Sequence, residues 1–172
     1  MKSLFTPTIY TKRLSLRSIQ DSDLADLLQI LNSEEIAKTY VLPTFNSHEE
    51  VLSLAKKLMA LSNDYTRFVY AICLDNRLIG WVNDVFMDKN TVELGYVIHP
   101  DYKNNGYATE SLKASINEIF RVGFTVVKAG AFEGNVASQR VMQKSGMAKS
   151  DEIEIIEYRG NKYRALIYEI RG

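Results

Sequence analysis

The sequence predicts a mixed α/β (α+β) fold: one mixed, mostly antiparallel sheet with helices packed on its faces. Three observations carry this. Strand-like apolar segments at 68–74, 78–86 and 91–98 follow one another with only the short turns Asp75-Asn76-Arg77 and Asp88-Lys89-Asn90 between them. Strands joined by tight turns pair antiparallel, so these three form a meander. From Gly106 onward the pattern changes to helix, strand, helix, strand, strand. Two amphipathic stretches precede the meander, and their apolar stripes need a sheet face to cover.

Taken in order, Leu14-Ser15-Leu16-Arg17 alternates as a strand does. Asp21-Ser22-Asp23 offers capping side chains, and Leu24, Leu27, Leu28 and Leu31 then recur at helical spacing. Residues 41–45 read as a loop, because Pro43 interrupts them. Ser47 and Glu50 make a capping-box pair for a second helix, with Val51, Leu54, Ala55, Leu58 and Leu61 on its apolar face. The meander follows. Beyond it, a helix opening at Gly106 presents Leu112, Ile116, Ile119 and Phe120. Residues 125–131 form a strand. Asn135 opens the next helix, which stops at Lys144-Ser145-Gly146 with Gly146 as its C′ residue. Strands at 152–158 and 163–170 close around Arg159-Gly160-Asn161. No repeat, low-complexity tract or linker interrupts the chain, so residues 1–172 are expected to form a single domain.

The chain has 172 residues, of which 46% are hydrophobic and 24% charged, the balance of a soluble globular protein. Lys plus Arg and Asp plus Glu are both 21, so there is no basic excess of the kind nucleic-acid binders carry, and direct nucleic-acid binding is not expected. Cys73 lies in an apolar run and reads as a small buried hydrophobe. His48 and His99 lack metal-ligand spacing, so no metal site is expected. The leading stretch Met1 to Pro7 has no long apolar segment, and no segment approaches the roughly 18 apolar residues of a membrane span. A cytoplasmic protein without membrane contact is the expectation.

The most informative stretch runs from Glu93 to Thr109: a strand, then His99-Pro100-Asp101-Tyr102-Lys103-Asn104-Asn105-Gly106, then a helix. A turn feeding a helix leaves backbone N–H groups unpaired and aligned with the positive end of the helix dipole. Such a turn binds phosphate without needing a basic side chain. Gly106 lets a pyrophosphate approach the backbone, and Ala108 leaves the first helical turn uncrowded.

The strand Glu93-Leu94-Gly95-Tyr96-Val97-Ile98, the turn Lys103-Asn104-Asn105-Gly106-Tyr107-Ala108, and the later Asn135-Val136-Ala137-Ser138 through Lys144-Ser145-Gly146-Met147 resemble the GCN5-related N-acetyltransferase (GNAT) family. Thr11-Lys12-Arg13-Leu14-Ser15-Leu16-Arg17 is similar to the N-terminal strand of its RimJ/RimL-like subgroup, which acetylates N-terminal amines of ribosomal proteins. Other relatives acetylate amino sugars, polyamines and other small amines. The resemblance covers residues 9–170. It implies a sheet with a splayed strand pair that holds CoA, acetyl-CoA as cofactor, and an amine as acceptor. The family's phosphate signature is Arg or Gln, two residues, Gly, one residue, then Gly or Ala; here it reads Lys103, Gly106, Ala108. The amides of Asn104, Asn105, Gly106, Tyr107, Ala108 and Thr109 would do most of the binding. The resemblance further implies a bulge in the strand before the turn. The backbone of Val97, Ile98 and His99 would pair with the pantetheine arm, and Asn135 would bond its amides.

The implied reaction moves an acetyl group to a primary amine in a ternary complex. The amine must lose a proton, the developing oxyanion needs fixed donors, and the thiolate must leave. Glu93 is the first candidate base: a carboxylate in an apolar strand, on the same pleat face as Gly95 and Val97. It also reads as a salt-bridged surface residue, and Glu154 and Glu157 are weaker alternatives. Donors for the oxyanion are placed near Val97 and Ile98. The family's usual acid, a tyrosine seven residues after the helix-opening Asn, is replaced by Met142. Ser138 stands where the subgroup often has a serine, close to the expected sulfur. Trp81 reads as core more readily than as cleft lining, with Asn83, Tyr40, Asp84 and Tyr158 as further acceptor-side candidates.

Two other readings compete. One is a non-catalytic acyl-CoA-binding module, to which Met142 gives weight and Glu93, Asn135 and Ser138 do not. The other is a Rossmann-type dinucleotide binder, which needs glycines after the first strand of a parallel unit. Here the turn follows antiparallel strands. The chain is compatible with a monomer or a homodimer.

Overall fold

The computed structural model describes residues 4–172. The first three residues of the leading stretch read above for a targeting segment lie outside the described residues. Among the described residues no helix is long and apolar enough to cross a membrane.

Eight strands form one sheet in the order β1-β2-β3-β4-β5-β6-β8-β7. These are β1 (Thr8–Tyr10), β2 (Leu14–Arg17), β3 (Val69–Leu74), β4 (Arg77–Met87), β5 (Thr91–Ile98), β6 (Val126–Phe132), β7 (Ala148–Tyr158) and β8 (Asn161–Arg171). All neighbouring pairs are antiparallel except β5 and β6, which run parallel. The meander is β3-β4-β5. Its first turn uses Asp75 and Asn76 with φ of 47° and 64°, the left-handed conformation that Asp and Asn tolerate and a two-residue hairpin requires.

The helices cover both faces. On one face α4 (Tyr107–Arg121) and α5 (Val136–Lys144) bury Leu112, Ile116, Ile119 and Met142 against Val92, Leu94, Val127 and Ala129. On the other, α1 (Leu24–Leu31) and α3 (His48–Ser62) bury Leu27, Ile30, Val51 and Ala55 against Ala71, Cys73, Trp81 and Val97. Trp81 is therefore core, and its Nε1–H donates to the Tyr40 hydroxyl (3.2 Å). Cys73 is buried, and burial pushes its thiol up to about 11.

The structure departs from the sequence reading in local ways. The capping box at α3 is open: Ser47 Oγ accepts the Glu50 N–H (3.2 Å), but the Glu50 carboxylate reaches the Asn46 N–H (2.7 Å) instead. A one-turn helix, α2 (Glu34–Ala37), precedes the loop at Pro43; its cap is Ser33, and its Ile36 and Ala37 are buried. The short β1 has no signal beyond three residues, and β7 begins four residues before the predicted strand because its first residues pair with the far end of β8.

Two irregularities shape the centre of the sheet. The β3–β4 register slips at Ile72/Cys73, and there Gly80 is obligatory: a Cβ would sit 2.1 Å from the Val97 carbonyl oxygen on β5. The β4–β5 register slips between Asp84 and Phe86, leaving Val85 as the extra residue opposite Glu93 and Leu94. The bulge implied for β5 therefore lies in its neighbour β4.

Candidate active site

β5 and β6 pair for only four residues, from Thr91↔Val126 to Leu94↔Ala129. Beyond that point each stays bonded to its outer neighbour, β5 to β4 as far as Ile98 and β6 to β8 as far as Phe132. The two strands therefore splay into a wedge whose inner edges carry backbone groups without a strand partner. A cleft of about 780 Å³ occupies the wedge and is lined by residues from both faces of the sheet. Its lining joins the turn at Lys103, Asn104 and Gly106, the first turn of α4, the start of α5, and the β5 residues from Glu93 to Ile98.

At one end lies the turn before α4. Asn104 (φ 62°) and Gly106 (φ 81°) are both left-handed, which curls the backbone toward the cleft. The first helical bond of α4 is Glu110 N–H to Gly106 O (3.0 Å). Among the described residues, the N–H groups from Asn104 to Thr109 have no protein acceptor. Together with the dipole of a fifteen-residue helix they form an anion-binding cradle. Lys103 Nζ bonds Glu35 Oε1 on α2 (2.9 Å), tying the turn to the opposite wall.

Arg13, in the turn between β1 and β2, locks this cradle from outside. Its guanidinium donates to Asn105 O (2.8 Å) and Glu110 Oε2 (2.7 Å) and lies 4.5 Å from the Tyr107 ring centroid. Glu110 also accepts from the Thr11 hydroxyl and the Arg13 N–H. Burial pushes the Glu110 carboxyl up, but these donors outweigh it and hold it below the ordinary range.

Successive β5 side chains point to opposite faces. Leu94, Tyr96 and Ile98 lie on the α4–α5 side. Tyr96 OH reaches Ser138 Oγ on α5 (2.8 Å), and burial pushes the phenol up to about 12. Asn135 caps α5 by accepting the Ser138 N–H at its Oδ1 (3.2 Å), which leaves its amide nitrogen as the group free for another partner. Glu93, Gly95 and Val97 lie on the other side. Glu93 is half-buried; burial first, then the like charge of Glu154, raises its carboxyl pKa, while Lys128 opposes them. Lys128, its register partner on β6, is itself held by Glu152 (2.6 Å). Gly95 faces Val85, Asn83 and Tyr40. Tyr40 OH donates to Asn83 Oδ1 (2.8 Å) and completes this wall.

Backbone directions follow from one bond. His99 N–H donates to Ile79 O on β4 (2.7 Å). Strand amides alternate sides, so the Val97 amide also faces β4, and those of Tyr96 and Ile98 face the wedge. Of the two backbone donors expected near an oxyanion, the Ile98 amide faces the wedge and the Val97 amide faces β4.

The cleft brings together Glu93, Val97, Ile98, Lys103, Asn104, Gly106, Tyr107, Ala108, Thr109, Asn135 and Ser138. His99 and Asn105, also placed at the cofactor by the sequence, do not line it. His99 Nδ1 caps the following turn by accepting the Asp101 N–H (3.1 Å), and the Asn105 side chain bonds Tyr102 O and Lys103 O within the turn. Asp84 is a buried structural acid bonded to Arg67 (2.7 Å) and the Phe68 N–H. Tyr158 OH donates to Ala37 O (2.7 Å) and accepts the Leu42 N–H, so it clamps the loop after α2 rather than the cleft. Glu154 lines the cleft; Glu157 is exposed beside Lys162. Met142 is fully buried. Sequence reasoning missed Tyr96, Arg13, Arg140 and Lys144. Strand alternation puts Tyr96 opposite Glu93 and was a usable signal; nothing local marks the other three.

The comparisons agree with this geometry. The family described as Acetyltransferase (GNAT) domain matches residues 13–148, well over half the chain, and the chain belongs to that family. The class is that of acetyl-CoA-dependent N-acetyltransferases. Among curated relatives, the uncharacterized N-acetyltransferase YoaA of Bacillus subtilis (strain 168) is 27% identical over 170 residues, covering 95% of this chain and 96% of its own. Among solved structures, the ribosomal L7/L12 alpha-N-protein acetyltransferase RimL in complex with coenzyme A superposes with a TM-score of 0.81 at 19% identity, over 95% of this chain and 97% of that one. The microcin C7 self-immunity acetyltransferase MccE, in complex with acetyl-CoA and AMP, gives 0.82 at 18% identity and covers 98% of both chains. At these identities the two structures are likenesses of fold.

Proposed function

We propose that this protein is a cytoplasmic enzyme that transfers an acetyl group from acetyl-CoA to a primary amine by direct attack, with Glu93 as general base. One observation carries the reading. Where β5 leaves β6, it presents a half-buried carboxylate on one face and a hydroxyl pair on the other, within a single cleft that begins at an anion cradle.

The cradle fits a pyrophosphate, since its amides lack protein acceptors and Gly106 keeps a side chain out of their way. The wedge fits an extended amide-containing arm, which finds there the outward backbone groups of Tyr96 and Ile98 and the free amide nitrogen of Asn135. Bound there, the cofactor supplies an activated acyl carbon. Glu93 takes the proton an attacking ammonium must lose, and its raised pKa brings it nearer the working pH, where a general base is most effective. The Ile98 N–H donates to the oxyanion as it forms. Lys103, Arg140 and Lys144 line the cleft and would face the cofactor, and the carboxylates Glu93 and Glu154, which also line it, would face the amine.

RimL acts on the N-terminus of ribosomal protein L7/L12. A protein N-terminal amine is accordingly the first acceptor class to test, and small amines such as polyamines and amino sugars are the second. The experiment is release of CoA thiol from acetyl-CoA, followed colorimetrically with peptides and small amines as acceptors. Amine-dependent release that Glu93→Gln abolishes is the expected result. Acetyl-CoA binding without release by any amine would leave an acyl-CoA-binding module. Without a thermal shift from acetyl-CoA, where about 2.7 kcal/mol is expected near 100 Kd, the cofactor assignment itself falls.

A further inference from the structure

The replacement of the family's usual proton donor by the fully buried Met142 leaves open what meets the departing sulfur. The answer lies across the cleft from Glu93, and it rests on the acetyl-transfer reading above. Tyr96 OH lies 2.8 Å from Ser138 Oγ and 3.2 Å from the Ser138 carbonyl oxygen. Ser138 sits in the first turn of α5, where its carbonyl already accepts the helical N–H four residues on. The Oγ is the nearer partner, and in that contact either hydroxyl can donate. A serine hydroxyl that accepts on one side turns its own hydrogen elsewhere, and Ser138 lines the cleft. The cap from Asn135 holds that turn of helix in place.

We propose that Tyr96 is a positioning residue for the leaving thiolate: its O–H donates to Ser138 Oγ and so aims the Ser138 hydrogen at the sulfur. The C–N bond forms as the C–S bond breaks. The C–S electron pair goes to sulfur, and the amine proton goes to Glu93. The sulfur leaves as a thiolate held by the Ser138 hydrogen and takes its proton later from water. Tyr96 keeps its proton throughout, as its raised pKa requires.

The test compares CoA with acetyl-CoA by calorimetry at several pH values, in the unaltered protein, in Tyr96→Phe, in Ser138→Ala and in the double variant. Only CoA carries a free thiol, whose ordinary pKa is close to that of cysteine, about 8.5. Other ionisable side chains line the cleft: Tyr40 in the loop after α2, Tyr102, Lys103 and Tyr107 around the phosphate turn, Arg140 and Lys144 on α5, Glu93 on β5 and Glu154 on β7. They stay the same in every variant, so comparing each variant's ratio with that of the unaltered protein removes their effect. In the unaltered protein CoA should gain about tenfold over acetyl-CoA as pH rises through the thiol pKa, the scale of a hydrogen bond to a charged group. Tyr96→Phe and Ser138→Ala should each lose that gain, and the double variant should lose no more than either alone. Any change in acetyl-CoA affinity should be smaller than the loss for CoA above the thiol pKa. Retention of the gain in Tyr96→Phe would overturn the proposal. So would equal losses for both ligands at every pH, since those report packing. If the unaltered protein binds neither ligand, the cofactor reading has failed instead.

Discussion

The two faces of β5 solve different problems with different means. On the α4–α5 face the site is made of chain ends: the amides before α4, the Asn135 cap of α5, and a serine one turn further on. Each is local, and each works because helix starts have unpaired donors. On the opposite face the site is assembled from distance. Glu93 meets Glu154 from β7, Gly95 meets Tyr40 from the loop after α2, and the Val85 bulge of β4 opens the space between them. On the proposed reading, the first face takes a part found in every acetyl-CoA molecule, for which helix starts suffice, and the second must recognise one amine among many with side chains drawn from several elements.

Breaking the second face without touching the first is the sharpest test. Glu93→Gln should lower kcat by roughly 10²–10⁴-fold, the usual range for general base catalysis, with acetyl-CoA affinity unchanged. Because burial and Glu154 raise the Glu93 pKa, kcat should fall on the acid side at a pH above the ordinary carboxylate range. The stability sign is opposite. A carboxyl whose folded pKa is raised opposes folding once it is charged, so the Gln variant should be more stable at neutral pH. That advantage should fade as pH falls through the raised pKa. A less stable Gln variant would mean that the carboxylate has a structural partner.

The next effect strikes both faces at once. Gly80→Ala places a methyl 2.1 Å from the Val97 carbonyl, so β4 must move away from β5. Overpacking of this kind costs about 1–3 kcal/mol, or several degrees in Tm for a chain of this size. Affinity for acetyl-CoA and turnover should fall together, because the amide of Ile98 and the carboxylate of Glu93 share that strand.

Tyr40→Phe confines the damage to the acceptor wall. It strips Trp81 Nε1–H and Asn83 Oδ1 of a shared partner, at a cost of about 1–2 kcal/mol. The KM for the amine should rise a few-fold, with that for acetyl-CoA unmoved. A change confined to acetyl-CoA would put the acceptor elsewhere.

The contrast also explains what the sequence revealed. The meander, the α4 turn, the α5 cap and the Gly146 stop were legible because their causes lie within a few residues of each other. The place of Glu93 on the cleft was legible because a carboxylate stands out in an apolar strand. The Val85 bulge, the clamp from Tyr158 onto Ala37 and the bond from Tyr96 to Ser138 were not. Each depends on two segments brought together by the sheet, at separations of 121 residues for Tyr158 and 42 for Tyr96. His99 and Asn105 differ in the backbone for which they were placed: the His99 N–H is taken by Ile79 O, whereas the Asn105 N–H has no protein acceptor among the described residues.

Arg13 gives the smallest effect and probes how far the first face depends on help from outside. Its pair with Glu110 is two-fifths exposed on the arginine side, so the charge itself contributes only about 0.2–1 kcal/mol. Its geometry matters more: one guanidinium bonds both Asn105 O and Glu110 while covering Tyr107. Arg13→Gln should weaken acetyl-CoA binding about three- to tenfold by loosening the turn, with kcat at saturation unchanged. Arg13→Lys should not restore it, since an ammonium lacks the planar fork. The clamp also has a pH signature. The Glu110 pKa is depressed in the folded state, so its contribution is present above the ordinary carboxylate range and is lost as pH falls through the depressed value. The affinity gap between the unaltered protein and Arg13→Gln should close over that same acid interval. Full rescue by lysine would reduce Arg13 to a point charge near phosphate and leave the cradle's shape to its own left-handed residues, Asn104 and Gly106.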